Sequence, residues 1–281
     1  MFSMRYFSPA PALRPLLSSY YVLDYGAEGL ADIMRAELAN VRFLISGRSQ
    51  LTWPDGSVRA GLPASVFGAR CQPLGLRCEG PGRIFGAGIM PMGWAALFGV
   101  DAHELADDML PLADIAGGLA SSTLARMQEA RDDAALVAAA DAFFTGLMDA
   151  RSLEREWFGP LVESWLIDGG AGGVDGLVDL ADLSSRQVER LCRRYYGAPP
   201  KLLMRKYRAL RAAVRYSVDP SASWLDAAGD SFYDQPHFIR EFKTFVGMTP
   251  TQFAQQGAAV MNHSIRLRRQ LPTLPKLSLV S

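Results

Sequence analysis

The sequence predicts an α+β protein in which a β-rich region and several helices precede an all-α C-terminal domain. Three observations predict this arrangement: short β-prone runs in the first hundred residues, helical patterns after Pro91, and a reversal of net charge near a run of glycines. The 281 residues provide enough chain for about two domains.

The β-prone runs are short and are separated by turn residues. They cover Tyr20–Tyr25, Val41–Ser46, Gln50–Trp53 and Arg83–Met90, and Pro54-Asp55-Gly56 is a strong turn signal. Several short strands at this spacing predict a barrel or a sandwich.

Helical patterns begin after Pro91. The predicted helices are Met92–Phe98, Ala102–Met109, Thr123–Arg131, Ala134–Met148 and Leu153–Ile167. The glycine-rich run Gly169–Gly173 then predicts a flexible linker. We therefore expect a first domain over residues 1–168, a linker over 169–173, a second domain over 174–260 and a C-terminal tail over 261–281.

The formal net charge of zero conceals two oppositely charged halves. Residues 1–174 carry 13 basic and 20 acidic side chains, whereas residues 175–281 carry 16 basic and 9 acidic ones. Between Ser184 and Arg215 there are ten basic residues and a single acid, Glu189. An acidic region joined to a basic one predicts a polyanionic partner, and a solvated helical face is the alternative interpretation.

The basic half contains a first predicted helix-turn-helix unit. A short helix over Leu177–Leu183 precedes Ser184, which is a good N-cap for a helix that ends before Gly197. One face of this helix is apolar, with Val188, Leu191, Cys192 and Tyr195. The opposite face is charged, with Arg186, Glu189, Arg190 and Arg193.

The pattern recurs about fifty residues later. Asp234 caps a predicted helix that ends before Gly247, and Trp224–Gly229 supplies the helix in front of it. The apolar side consists of Phe238, Ile239, Phe242, Phe245 and Val246, and the other side of His237, Arg240, Glu241 and Thr244. A single helix over Lys201–Ser217 is predicted to join the two units.

Three stretches of the sequence resemble AraC/XylS-type transcription regulators. SFYDQPHFIREFKTFVGMTPTQF (231–253) resembles the second helix-turn-helix of that family, and LSSRQVERLCRRYYGAPPKLLMRKYRALRAA (183–213) is similar to the first unit and its connecting helix. FGAGIMPMGWAALFGVDAHELADDMLPLADI (85–115) resembles the regulatory domain of one subgroup. Val178, Asp182 and Ser231 depart from the family pattern, because they stand where a small alanine, a turn glycine and a second glycine are usual.

The resemblance implies a cupin-like N-terminal β-barrel that senses an effector or mediates dimerisation. It also implies an all-α DNA-binding domain made of two helix-turn-helix units. The partners implied are double-stranded DNA, a small-molecule effector, RNA polymerase and a second copy of the chain.

We expect the two capped helices to enter successive major grooves. The predicted base contacts are Arg186, Glu189 and Arg190 in the first unit and Gln235, His237 and Arg240 in the second. Arginine suits bidentate contact with guanine, and glutamine suits adenine. Glu189 either accepts a hydrogen bond from cytosine or holds Arg186 or Arg193 in place. The predicted phosphate contacts, which position the protein without specifying sequence, are Arg193, Arg194, Lys206 and Lys243.

The sequence shows no pattern typical of a metal site, a catalytic site or a membrane span. The acidic half has one histidine, His103, and Cys71 and Cys78 lack zinc spacing, so we expect no metal, no cofactor and no catalytic residue. The longest charge-free stretch, Ile84–Val100, is too short and too broken to span a membrane. Three cysteines fit a reducing compartment, and a cytoplasmic location is expected.

Two alternative functions belong to other classes of protein. One is a cupin-type enzyme for small molecules with an accessory helical domain, and the other is a basic interaction module that binds RNA or an acidic protein. Aromatic residues of the β-rich region either line a small-molecule pocket or form the core: Tyr20, Tyr21, Tyr25, Phe43, Trp53, Phe67 and Phe85.

Overall fold

A computed structural model describes residues 1–148, 156–219, 221, 223, 226–227, 232–256, 259–271 and 273–280. Its N-terminal region is built on one antiparallel sheet of eight strands. The strands are β1 (Phe2–Phe7), β2 (Leu17–Tyr25), β3 (Leu30–Met34), β4 (Ala39–Thr52), β5 (Val58–Ala60), β6 (Ala64–Phe67), β7 (Leu74–Ile89) and β8 (Met109–Pro111).

The strand order is β1-β2-β7-β4-β6-β8, with β3 beside β7 and β5 beside β4. Within the described residues, β1 pairs only with β2 and β8 only with β6, so hydrogen bonds do not close the sheet into a barrel. The predicted α+β class is confirmed, but the sheet is open and does not form the expected cupin-like barrel.

Strand β4 is longer than the sequence predicts, because it joins two of the predicted β-prone runs. The run Val41–Ser46 and most of the run Gln50–Trp53 belong to one irregular strand, β4, which ends at Thr52 and whose register against β7 shifts on both sides of Ser46. Gly47 has a φ of +89°, a backbone conformation that glycine adopts without strain. Such an irregularity bends the strand and interrupts its pattern, which is why the sequence suggested two strands.

Helices pack on one face of the sheet and bury its aromatic residues. These helices are α1 (Pro91–Phe98), α2 (Ala113–Ala116), α3 (Gly118–Gln128) and α4 (Asp133–Leu147). The next helix, α5 (Phe158–Ile167), belongs to a second buried cluster with the C-terminal helices. The ring of Tyr20 lies 5.4 Å from that of Phe85, and Phe43 makes an edge contact with Phe143 of α4 at 5.5 Å. Tyr20, Phe43 and Phe85 are therefore core residues.

The predicted helix Ala102–Met109 is wrong. Ala102–Leu105 forms one turn of 3-10 helix, and Met109–Pro111 pairs with β6 as strand β8. Asp107 between them has a φ of +59°, and its carboxylate accepts hydrogen bonds from the backbone N–H groups of Cys71 and Gln72 at 2.7 and 2.9 Å. These side-chain-to-backbone bonds compete with a continuous helix.

The remaining helices lie in the C-terminal half. They are α6 (Gly173–Ala181), α7 (Ser185–Tyr196), α8 (Pro200–Val218), α9 (Gln235–Val246), α10 (Pro250–Gln256), α11 (Ala259–Arg268) and α12 (Lys276–Leu279). The predicted helix Trp224–Gly229 lies largely outside the described residues, as do Ser231 and the start of the predicted helix Leu153–Ile167. None of the described helices is long and apolar enough to cross a membrane.

The glycine run between α5 and α6 forms a hydrogen-bonded turn. The backbone N–H of Gly170 donates to the carbonyl of Trp165 at 2.8 Å, and the indole N–H of Trp165 donates to the carbonyl of Ala171 at 3.1 Å.

The last residues of the chain return to the N-terminal sheet. The backbone N–H of Val260 donates to the Asp32 carboxylate of β3 at 2.8 Å, and the hydroxyls of Tyr6 and Ser264 share a hydrogen bond of 2.6 Å. The rings of Phe2 and His263 meet edge to face at 5.7 Å. Helix α11 thus lies against β1 and β3.

A half-buried carboxyl on α5 gives the fold a testable pH dependence. Burial raises the pKa of Glu163 from its ordinary value to about 7. The folded protein therefore holds this proton more tightly than the unfolded chain, and stability is lost as the pH rises toward 7. We expect Glu163→Gln to raise the melting temperature at pH 8 and to change it little at pH 4.5. The corresponding gain in the free energy of unfolding at pH 8 is at most about 1.4 kcal/mol per unit of pKa shift. Glu129→Gln, at an exposed glutamate, is the control, and an equal effect of Glu163→Gln at both pH values contradicts the prediction.

Candidate DNA-binding interface

The first candidate recognition helix, α7, has the ends that the sequence predicts. The Ser184 hydroxyl accepts from the backbone N–H of Gln187, and the Gln187 side chain accepts from the backbone N–H of Ser184, so the two form a capping box. Gly197 ends the helix with a φ of +77°. Asp182 takes a left-handed conformation, with a φ of +50°, in the turn between α6 and α7. An aspartate thus occupies the conformation usually left to a turn glycine.

The two faces of α7 divide as predicted. Val188, Leu191, Cys192 and Tyr195 are buried, and Arg186, Glu189, Arg190 and Arg193 are exposed. The Glu189 carboxylate accepts two hydrogen bonds from Arg193, at 3.0 and 3.1 Å. In this structure Glu189 therefore holds Arg193, one of the two roles left open by the sequence.

The second candidate recognition helix, α9, repeats this construction. The Asp234 carboxylate accepts from the backbone N–H of His237 at 2.7 Å, and Gly247 ends the helix with a φ of +91°. Gln235, Arg240 and Lys243 are exposed. His237 is half-buried against the ring of Phe232 at 5.7 Å, and its Nδ1 has no hydrogen-bond partner among the described residues.

Helix α8 connects the two units and carries the second one. It contains 19 residues, a length of about 28 Å at 1.5 Å per residue. Tyr216 of α8 stacks on Phe238 of α9 at 6.4 Å and meets Phe242 edge to face at 6.0 Å. The two recognition helices are thus attached to a single rigid element.

Lys206 does not lie where the sequence placed it. It was expected at a phosphate, but it is 1% exposed, and its ammonium group donates to the carbonyl of Glu37 at 2.8 Å. Burial lowers the pKa of Lys206, although nearby acidic groups counteract part of the effect. A side chain enclosed between the two halves cannot reach DNA, so Lys206 is removed from the predicted phosphate contacts.

The second correction concerns Glu241. The spacing placed it on the exposed face of α9, but it is 7% exposed and pairs with Arg205 of α8. An amphipathic pattern distinguishes apolar from polar positions. It does not show whether a polar side chain faces solvent or pairs with a buried charged residue.

Arg194 faces the N-terminal half in this structure. Its guanidinium lies 3.5 Å from the Asp101 carboxylate and 5.7 Å from the ring of Tyr195. The predicted phosphate contact of Arg194 therefore competes with an ion pair between the two halves.

A cavity of about 110 Å³ lies between the sheet and α11, and of the seven aromatic residues that the sequence offered as pocket or core residues, Tyr21 lines it. Much of its lining is apolar, with Met4, Leu23, Ile33, Leu76, Ile84 and Met261. Its charged lining consists of three arginines and two carboxylates, Arg35, Arg42, Arg268, Asp32 and Glu37. An arginine within the apolar run Val41–Ser46 was the available sequence signal, since a charged side chain on a buried strand needs a partner.

Glu37 is the centre of the charged lining. Its carboxylate binds Arg42 and Arg70, each at 2.8 Å. Burial opposes its ionisation, but these guanidinium groups outweigh burial and lower its pKa. Burial lowers the pKa of Arg35 to about 10, which leaves it protonated at neutral pH. Positive charge therefore exceeds negative charge around the cavity.

The described residues contain no group of three or more histidine, cysteine or acidic side chains arranged to hold a metal ion. The three cysteines are free and buried.

Two family models match the chain, one in each half. A family described as "Helix-turn-helix domain" matches residues 177–256, and a "Domain of unknown function (DUF6597)" matches residues 5–111. The helix-turn-helix match extends from α6 to α10 and so includes both capped helices and the helix between them. This match agrees with the helix-turn-helix units that the resemblance to AraC/XylS-type transcription regulators implied for this half.

The chain also shares its overall fold with a solved structure. ToxT from Vibrio cholerae, in one crystal form, matches with a TM-score of 0.50 at 9% identity, over 90% of this chain and 97% of that one. ToxT with a bound unsaturated fatty acid matches with a TM-score of 0.48 at 10% identity, over 90% of this chain and 94% of that one. No curated protein matches the sequence.

The helix-turn-helix domain indicates that the protein is a DNA-binding transcription regulator. The helix-turn-helix match favours duplex DNA over the RNA or acidic protein of the alternative interpretation. It equally favours a regulator over a cupin-type enzyme.

Proposed function

We propose that α7 and α9 read bases in successive major grooves. The observation that carries this proposal is a repeated construction: each helix has a polar N-cap, a glycine C-cap, a buried apolar face and an exposed face with basic residues. The proposed base contacts are Arg186, Glu189, Arg190, Gln235, His237 and Arg240. The proposed phosphate contacts are Arg193, Arg194 and Lys243, with residues 174–260 as the DNA-binding domain and 1–168 as the regulatory domain.

We expect Arg190→Ala and Arg240→Ala each to cost about 1–3 kcal/mol of discrimination at the contacted bases. In binding-site selection from random duplex DNA, each variant should lose base preference in the half of the site that its own helix contacts. The preference in the other half should stay unchanged. Lys243→Ala is the matched comparison, because loss of a phosphate contact weakens binding to all sequences alike and lowers the salt slope by about one. An unchanged selected sequence for both arginine variants contradicts base reading by these helices.

We further propose that a small anionic molecule with an apolar part controls the regulator by binding in the cavity between the sheet and α11. The apolar lining offers burial to a hydrocarbon group, and the excess of arginine offers pairing to a carboxylate. ToxT, which shares the fold, has been crystallised with an unsaturated fatty acid, a molecule of this kind.

The cavity proposal predicts that straight-chain carboxylates stabilise the protein where alcohols of equal length do not. We expect hexanoate through decanoate to raise the melting temperature and to change the affinity for DNA. Arg35→Met should abolish both effects, because it removes a buried cation from the cavity lining. Arg83→Met, at an arginine outside the cavity, is the control. Equal responses to carboxylates and alcohols, or a full response of Arg35→Met, contradict the proposal.

We also propose partners and a cellular location for the protein. The family predicts that RNA polymerase and a second copy of the chain are partners. We propose that the regulator acts in the cytoplasm, where it meets DNA, and that it acts by binding, without catalysis.

A further inference from the structure

Arg205 of α8 and Glu241 of α9 form a bidentate ion pair at the base of the second recognition helix. Arg205 Nε donates to one carboxylate oxygen at 2.8 Å, and Nη2 donates to the other at 2.7 Å. The guanidinium also lies 5.8 Å from the ring of Phe245, one turn further along α9. The hydrogen bonds from Arg205 lower the pKa of Glu241, so the carboxylate remains ionised at neutral pH.

The other described contacts between α8 and α9 are mainly apolar and carry little directional preference. Leu210, Ala213 and Tyr216 of α8 belong to the same buried cluster as Phe238, Phe242 and Val246 of α9. Apolar burial depends on area and leaves the rotation of a helix about its axis weakly determined. A bidentate arginine–carboxylate pair, in contrast, fixes both distance and orientation.

We propose that Arg205 and Glu241 are positioning residues that set the rotation of α9 and thereby aim Arg240 and Gln235 at the bases. Glu241 directly follows Arg240, so a change in how Glu241 is anchored turns the neighbouring side chain as well. This inference rests on the proposed reading of bases by α9, and it adds residues that do not touch DNA.

The main test removes the pair without leaving a buried charge. In the double variant Arg205→Met/Glu241→Leu, apolar side chains fill the space, an exchange that is often neutral for stability. We expect a melting temperature close to that of the original protein. We also expect about a tenfold loss of base preference at the positions that Arg240→Ala relaxes, and no change at those that Arg190→Ala relaxes. Binding-site selection from random duplex DNA with the full chain measures both.

A second variant and a matched control complete the test. Arg205→Lys retains the positive charge but loses the bidentate geometry, so it should lose part of the same preference. The control is Arg5→Met/Asp133→Leu, which removes another two-bond arginine–carboxylate pair, between β1 and α4, and should leave all base preferences unchanged.

The outcomes separate this inference from the function on which it rests. If Arg240→Ala relaxes one part of the site and the double variant retains full preference there, the positioning role is overturned and base reading by α9 stands. If the double variant relaxes both parts equally, the pair supports the whole DNA-binding half, and the positioning role is again overturned. If Arg240→Ala changes nothing, both proposals fail.

Discussion

The connection between β3 and β4 holds the two halves of the regulator together. Within it, the backbone N–H of Ala36 donates to the carbonyl of Phe245 at 2.7 Å, in the last turns of α9. The next residue, Glu37, offers its carbonyl to the ammonium group of Lys206 on α8 at 2.8 Å. Two adjacent residues of this connection thus bind both the connecting helix and the second recognition helix. Because buried backbone polar groups need partners, separation of the halves would leave these groups to be satisfied by water.

The same connection lines the cavity, so the proposed effector site and the DNA-binding half share residues. The Glu37 side chain faces Arg42 and Arg70, while its carbonyl faces Lys206. Asp32, which also lines the cavity, accepts a hydrogen bond from the backbone N–H of Val260 at the start of α11. A molecule in the cavity would therefore contact segments that are bonded to α8, α9 and α11. This arrangement gives the proposed control by a bound molecule a physical route.

The sequence predicted the parts of this structure that depend on local chemistry. Ser184 with Gln187 and Asp234 with His237 cap their helices through bonds within three residues, and Gly197 and Gly247 end them because glycine adopts a positive φ freely. The buried stripe of α7 follows from helical periodicity alone. The outer strands β1 and β3 were missed, because such a strand depends on packing against its neighbour, β2 or β7, more than on its own residues. Lys206 and Glu241 were misplaced for a related reason: whether a polar side chain meets solvent, a carbonyl or an ion-pair partner depends on tertiary packing.

The central claim is that both capped helices, held by α8, engage one face of duplex DNA together. The most direct measurement is a hydroxyl-radical footprint of the full chain on a selected DNA sequence. Helices in successive major grooves predict two protected patches about 10 base pairs apart on the same face. A single protected patch, or two patches on opposite faces of the duplex, would contradict the account.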